Sequence, residues 1–302
     1  MTARPQKDNQ APHFPRATVS GDRITIRHDS VGLFLEHALA DGQATHPANA
    51  AQADNHSSAR AYSADRRAFY NGFSRDTLTE AIANPPCNLT IAVDELTAEI
   101  TSATIAPTGV ERQTVYGLSV GAEVDPVSYG LCQYGTMWTD AVDTQADRLT
   151  LTLACNLSVH SRQSASELLY RGAAAAALAD LLTLRGYSVE ILGCTSGVVY
   201  CGTRSSSLAP RYLHSVLVKP ADAPMDVASV ALVLSEIAVF RMAFLAIKLR
   251  SAPRRVQEGI GQPRDLNEAD KAELNADIVC DQTVTSRADA VAWVQHWASV
   301  YA

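Results

Sequence analysis

The stretch 148–194 constrains this chain more than any other. Leu149, Leu151 and Leu153 alternate with Thr150 and Thr152, and the sequence then turns apolar at Ala154 and Cys155. A period of two predicts a strand with one buried face over 148–157. After a polar loop, Ser164 and Glu167 stand in S-x-x-E spacing. In that arrangement the hydroxyl and the carboxylate satisfy free amides at a helix start. Residues 165–185 are rich in Ala and Leu, both strong helix formers, and Gly186 supplies a left-handed stop. A second apolar strand follows at once over 187–192. Strand, long helix and strand with short connections make a βαβ unit, so the two strands should lie in one sheet and run parallel.

The remaining signals extend this pattern. Strands are expected at 23–27, 113–120, 198–202, 213–219 and 276–280. Helices are expected at 31–40, at 63–83 with a break at Asn71-Gly72, at 224–251 and at 286–300. Val93, Leu96 and Ile100 also recur at helical spacing. Residues 41–61 and 252–274 are polar and without an apolar period, and read as loops. Strands alternating with helices predict an α/β fold, a mostly parallel sheet with helices on both faces. The division expected is a flexible arm at 1–20, a mainly helical N-terminal α+β region at 21–147 and an α/β domain at 148–302.

Composition narrows the function classes. Hydrophobic residues make up 47% of the 302-residue chain and charged residues 19%, enough for a large core and too little charge for disorder. A formal net charge of −7 argues against a general nucleic-acid binder, which needs clustered Lys and Arg. The only basic cluster is Lys248, Arg250, Arg254 and Arg255, which suits compensation of a helix dipole or an anionic partner. The N-terminus lacks the apolar run of a secretory signal. The most apolar stretch, 227–249, carries Glu236, Arg241 and Lys248, so a buried core helix is expected rather than a membrane span. Cys87, Cys132, Cys155, Cys194, Cys201 and Cys280 include no C-x-x-C pair and mostly sit in apolar runs, as free thiols do in a reducing cytoplasm. A cytoplasmic location is the expectation.

In an open α/β sheet, ligands lie beyond the carboxyl ends of the strands. There the sequence offers Asn156, Ser158, His160 and Ser161, then Thr195 and Ser196, then Asp281 and Gln282. Of these, Asn156, Ser158, His160, Ser161, Thr195 and Asp281 are the candidate ligand-binding residues. The same cluster also fits a hydrogen-bonded turn from strand to helix. No H-E-x-x-H, P-loop or G-x-G-x-x-G motif is present, and Ser196 lacks the glycines of a nucleophile elbow. Trp293 and Trp297, four residues apart, suit core or lid packing.

The run from Leu151 through Asn156-Leu-Ser158-Val-His160-Ser161, with the long helix and strand after it, resembles the start of a von Willebrand factor A domain. The resemblance covers roughly 148–300. In that family D-x-S-x-S follows the first strand, and a Thr and a later Asp complete a divalent-cation site. By position Asn156 takes the place of the Asp, Ser158 of the first Ser and His160 of the second, with Thr195 and Asp281 as the Thr and later Asp. The resemblance implies Ser158 and Asp281 as metal ligands and Mg²⁺ as the ion; no other cofactor is expected. Asn156 brings a neutral oxygen where a hard cation favours carboxylate, so the motif is degenerate. The chain also resembles a group of phage and mobile-element proteins, through 115–126, the βαβ unit and Phe240-Arg241-Met242-Ala243-Phe244.

Together these imply a protein-binding adaptor with a von Willebrand A-like core, for which an AAA-type ATPase is one class of partner. A phage structural or assembly role is the alternative. An enzyme using Asn156, Ser158, His160 and Asp281 with a divalent ion is the third; the sequence identifies no activated nucleophile and no paired carboxylates for it.

Overall fold

The computed structural model describes residues 18–20, 23–42, 44–58, 69–84, 91, 94–95, 98–99, 112–118, 123–131, 137–143, 149–160, 163–198, 211–252 and 263–301. In chain order, the first half holds strands β1 (Thr18–Ser20) and β2 (Arg23–His28), then helices α1 (Val31–Leu39), α2 (Ala50–Ser57) and α3 (Arg75–Ala83). Strand β3 (Arg112–Leu118), strand β4 (Glu123–Val124), helix α4 (Pro126–Gly130) and strand β5 (Trp138–Asp143) follow. The second half opens with β6 (Thr150–Asn156), α5 (Ala165–Leu184), β7 (Ser188–Val198) and β8 (Arg211–Lys219). It continues with helical segments α6 (Val227–Ser235) and α7 (Ile237–Ser251), then β9 (Pro263–Arg264), α8 (Glu268–Leu274), β10 (Ile278–Cys280) and α9 (Arg287–Val300).

The expected βαβ unit is present. β6 and β7 pair in parallel from Thr150↔Ser188 to Asn156↔Cys194. The capping box of Ser164 and Glu167 opens α5, and Gly186 closes the turn after it at φ +91°. The main sheet runs β1-β2-β8-β7-β6-β10, with β9 paired to β7. It is parallel within two blocks, β10–β6–β7 and β8–β2, which run in opposite directions across the β7–β8 pair. β3, β5 and β4 make a small antiparallel sheet of their own. β2, from the expected N-terminal region, pairs with β8 and so belongs to the main sheet.

Two cores flank the main sheet. Leu151, Leu153 and Cys155 of β6 enter the larger one, and Ala154 the smaller, as strand alternation requires. The larger core contains α1, α5, α6, α7 and α9; the smaller is covered by α8 through Leu274. Helix α5 is enclosed between sheet and helices, which is why its run Ala173 to Ala177 is wholly buried.

Several expectations differ from what forms. Helix α2 lies in the expected loop 41–61, because its anchors are polar: Asp54 pairs with Arg250 at 3.0 Å, and His56 bonds the Tyr70 hydroxyl at 3.2 Å. Such a helix has no apolar period to read. Helix α8 and β9 lie in the expected loop 252–274; the capping box of Asn267 and Asp270 starts α8, and Asn275 ends it at φ +50°. β7 runs on to Val198, so Thr195 and Ser196 sit inside a strand rather than in a loop. The rest of the expected strand 198–202, the division expected between 147 and 148, and residues 1–17 of the expected arm 1–20 fall outside the described residues.

The expected single helix 224–251 is broken. α6 and α7 meet at Glu236 with a bend of 59°, and both contain π-helical turns, at Ala231–Ser235 and Phe240–Phe244. Among the described residues no single helix is long and apolar enough to cross a membrane. The bent pair α6–α7 reaches the length and apolarity together, but it is packed into the protein core. The supposed basic cluster is partly internal too: Lys248 and Arg250 are buried, and Arg254 and Arg255 fall outside the described residues.

Candidate functional site

The carboxyl ends of β10, β6 and β7 lie at one edge of the sheet, because the three strands run parallel and Cys155 is in register with Cys280. Asn156 and Asp281, the residues at and just beyond those strand ends, therefore belong to the same edge. Asn156 is fully buried. Its amide donates to the Arg264 carbonyl at 3.2 Å, and its side-chain oxygen accepts from the Ser158 amide at 3.0 Å. The Ser158 hydroxyl donates to the Ser196 carbonyl at 3.0 Å and accepts from the Ser196 amide at 2.9 Å. These two side chains fasten the loop after β6 to β7 and β9.

The other candidates are more open. His160 is exposed, and its amide donates to Gln163 Oε1 at 2.6 Å. Asp281 is half-buried and accepts from the Thr283 amide and hydroxyl at 2.9 and 2.6 Å, forming the turn before α9. Thr195 is buried and faces His214 across the β7–β8 ladder. Ser161 is outside the described residues. The edge thus brings together Asn156, Ser158, His160 and Asp281, and leaves Thr195 in the neighbouring strand pair. Among the described residues, no three His, Cys, Asp or Glu side chains are grouped to hold a metal ion.

Sequence reasoning missed Arg171. It lies on α5 with no exposed surface, and its Nη1 donates to the Asn156 carbonyl at 2.6 Å. Among the described residues, its Nε and Nη2 have no partner, and neither does the buried Gln282 Nε2. The signal was an arginine directly before Gly172 and the run Ala173 to Ala177, in a helix that also carries Glu167 and Asp180.

Asp270 was also missed. It is buried on the opposite face, and its carboxylate accepts from Arg23 at 2.9 Å, Arg211 at 3.2 Å and the Ser196 hydroxyl at 3.1 Å. It ties β2, β7, β8 and α8 together. Both arginines are partly exposed, so solvent screens the pairs and lowers their worth below that of a fully buried pair. Asp270→Asn is expected to cost about 2 kcal/mol in chemical denaturation, with the slope of the transition unchanged. A loss below about 0.5 kcal/mol would show that the carboxylate does not tie these strands.

A second polar cluster lies inside the larger core. His214 Nε2 is 2.9 Å from His28 Nδ1, and His28 Nε2 is 3.1 Å from His37 Nδ1, a chain of three imidazoles. Burial pushes His28 down to about 4 and His37 to about 3, and pushes His214 well below the usual histidine range. Burial likewise lowers His56 to about 4. Phe34 and Phe244 pack against His214, at ring distances of 5.6 and 4.7 Å.

The fold and its edge define an α/β protein with a polar rim at the carboxyl ends of three parallel strands. The model of one family, described as "Domain of unknown function (DUF7192)", matches residues 18–292, and the chain belongs to that family. No curated protein and no solved structure matches it.

Proposed function

We propose that the chain is a protein-binding module with a von Willebrand A-like core, and that it engages its partner through the rim at the ends of β10, β6 and β7. The observation that carries this reading is the division of labour along that rim. Asn156 and Ser158 are buried and bonded to main chain, which makes the rim rigid, while His160 and Asp281 reach solvent beside them. A rigid rim with adaptable polar tips suits recognition, because little ordering entropy is lost on binding. In this reading Asn156 and Ser158 position the loop, and His160 and Asp281 touch the partner. Mg²⁺ would add a contact at Ser158 and Asp281 only after the Ser158 hydroxyl left Ser196.

A photocrosslinking amino acid placed at His160 tests the reading, with a control at Asp222. Asp222 is exposed and follows β8, which ends beside the amino-terminal part of β7, at the opposite edge. In cells of the source organism, a discrete crosslinked protein is expected from position 160 and not from 222, and Asp281→Ala should weaken it about tenfold. Identical crosslinking patterns from the two positions would overturn the proposal.

A further inference from the structure

Lys248 lies on the face of α7 that packs against β8. Lys248 follows Phe244 by four residues on the helix, and Tyr212 and His214 alternate on the strand, so the four side chains face one another. Lys248 Nζ sits 5.2 Å from the centre of the Tyr212 ring, and the Tyr212 and His214 rings are 6.1 Å apart. All three residues are buried, and among the described residues neither the Tyr212 hydroxyl nor His214 Nδ1 has a hydrogen-bond partner. Asp54, the acid on the facing helix α2, is paired with Arg250 instead.

A buried ammonium without a carboxylate is costly, and the cost is relieved by losing the proton. Burial accordingly pushes the Lys248 amine down to about 7. An uncharged lysine in apolar surroundings is a nucleophile, which is how lysines that form Schiff bases are activated. The unpartnered hydroxyl and imidazole beside it are donors and acceptors of the kind that proton transfer requires. The π-helical turn at Phe240–Phe244, just before Lys248, is a distortion frequent at functional sites.

We propose that Lys248, Tyr212 and His214 form a site that captures a small apolar aldehyde or ketone as an imine. The lone pair of Lys248 Nζ attacks the carbonyl carbon and a C–N bond forms. The C=O π electrons move to oxygen, which takes a proton from Tyr212 or His214. The proton that the nitrogen gives up replaces it on that same group, so that hydrogen passes from nitrogen to oxygen with no net change in the site. Loss of water then leaves the C=N bond, and no oxidant or reductant is needed. The His214–His28–His37 chain, in contact at 2.9 and 3.1 Å, holds the His214 ring in place for this exchange.

The lysines of the chain are Lys7, Lys219, Lys248 and Lys271, so peptide mapping separates every ε-amine. The full chain is incubated with propionaldehyde and sodium cyanoborohydride, which reduces any imine to a stable adduct, and is mapped by mass spectrometry. At pH 7 Lys248 is expected to be modified at least ~10-fold faster than Lys271, which pairs with Glu268 at the surface. The Lys248 rate should level off above about pH 7. Tyr212→Phe should slow it several-fold while Lys271 is unchanged. Lys248 left unmodified in the folded chain, or modified only after denaturation, would overturn the proposal. So would a Lys248 rate that climbs with pH in parallel with Lys271.

Discussion

Acidification from pH 7 to pH 5 is expected to unfold this protein cooperatively. His28, His37, His56 and His214 are buried and uncharged, with protonation pushed down to about 4, 3 and 4 in the first three and well below the usual range in the fourth. Each imidazole is neutral in the folded chain at a pH where it is charged in the unfolded one. Protons therefore favour unfolding below about 6.5, and the stabilising contribution is full only above that value. At pH 5 a histidine lowered to about 4 withdraws roughly 2 kcal/mol. Three or four such groups together approach the whole stability of an ordinary domain, ~5–15 kcal/mol. Circular dichroism against pH should show one steep transition near pH 5, and the urea midpoint should fall steadily from pH 7 downward. His28→Gln with His37→Gln should flatten that slope. A urea midpoint that is constant from pH 7 to pH 4.5 would mean that the imidazoles are not enclosed.

Gly172→Val is expected to destabilise the protein by at least about 4 kcal/mol, or to prevent folding at 37 °C. A Cβ at this position would stand 2.1 Å from the Ser235 hydroxyl and 2.8 Å from both the carbonyl carbon and oxygen of Leu234. A side chain can rotate away, but main chain cannot, so α5 and α6 would have to separate. That separation would open the larger core along Ala173 to Ala177, where small side chains allow the helices to lie close. Even Gly172→Ala should lower the melting temperature by roughly 5 °C or more. A melting temperature within 1 °C of the natural protein for Gly172→Ala would contradict the close approach. Ser235→Ala, which removes one of the clashing atoms, should recover only part of the loss in Gly172→Ala, because the Leu234 main chain remains.

The elements that could be read from the sequence are those whose periodicity came from apolar burial. Leu151, Leu153 and Cys155 announced β6, and the Ser164–Glu167 box with Gly186 fixed both ends of α5. Helix α2 was hidden because polar pairs hold it, Asp54 with Arg250 and His56 with Tyr70. Helix α8 was hidden because it is short and buries one leucine and one aspartate. The break falls at Glu236, a charge that the sequence shows inside the apolar stretch; its carboxylate accepts from the Ala238 amide and so starts α7, a capping role that the charge alone does not reveal.

The candidate site was legible in part. Asn156, Ser158, His160 and Asp281 share an edge because parallel strands put their ends together, a consequence of topology that the βαβ pattern already contains. Their division into buried fasteners and exposed tips was not legible, because it depends on Ser196 and Arg264 from distant parts of the chain. Thr195 left the group when β7 proved longer than its apolar run. Arg171, Asp270 and the three imidazoles were invisible for a common reason: each is a polar residue enclosed by elements that meet only in three dimensions.

The most direct test of the account is hydrogen exchange on the protein alone and in complex with its captured partner. The account predicts slowed exchange at 157–160 and 281–284, with residues 220–223 at the far edge unchanged. Protection confined to the far edge, with exchange around His160 and Asp281 unaltered, would contradict it.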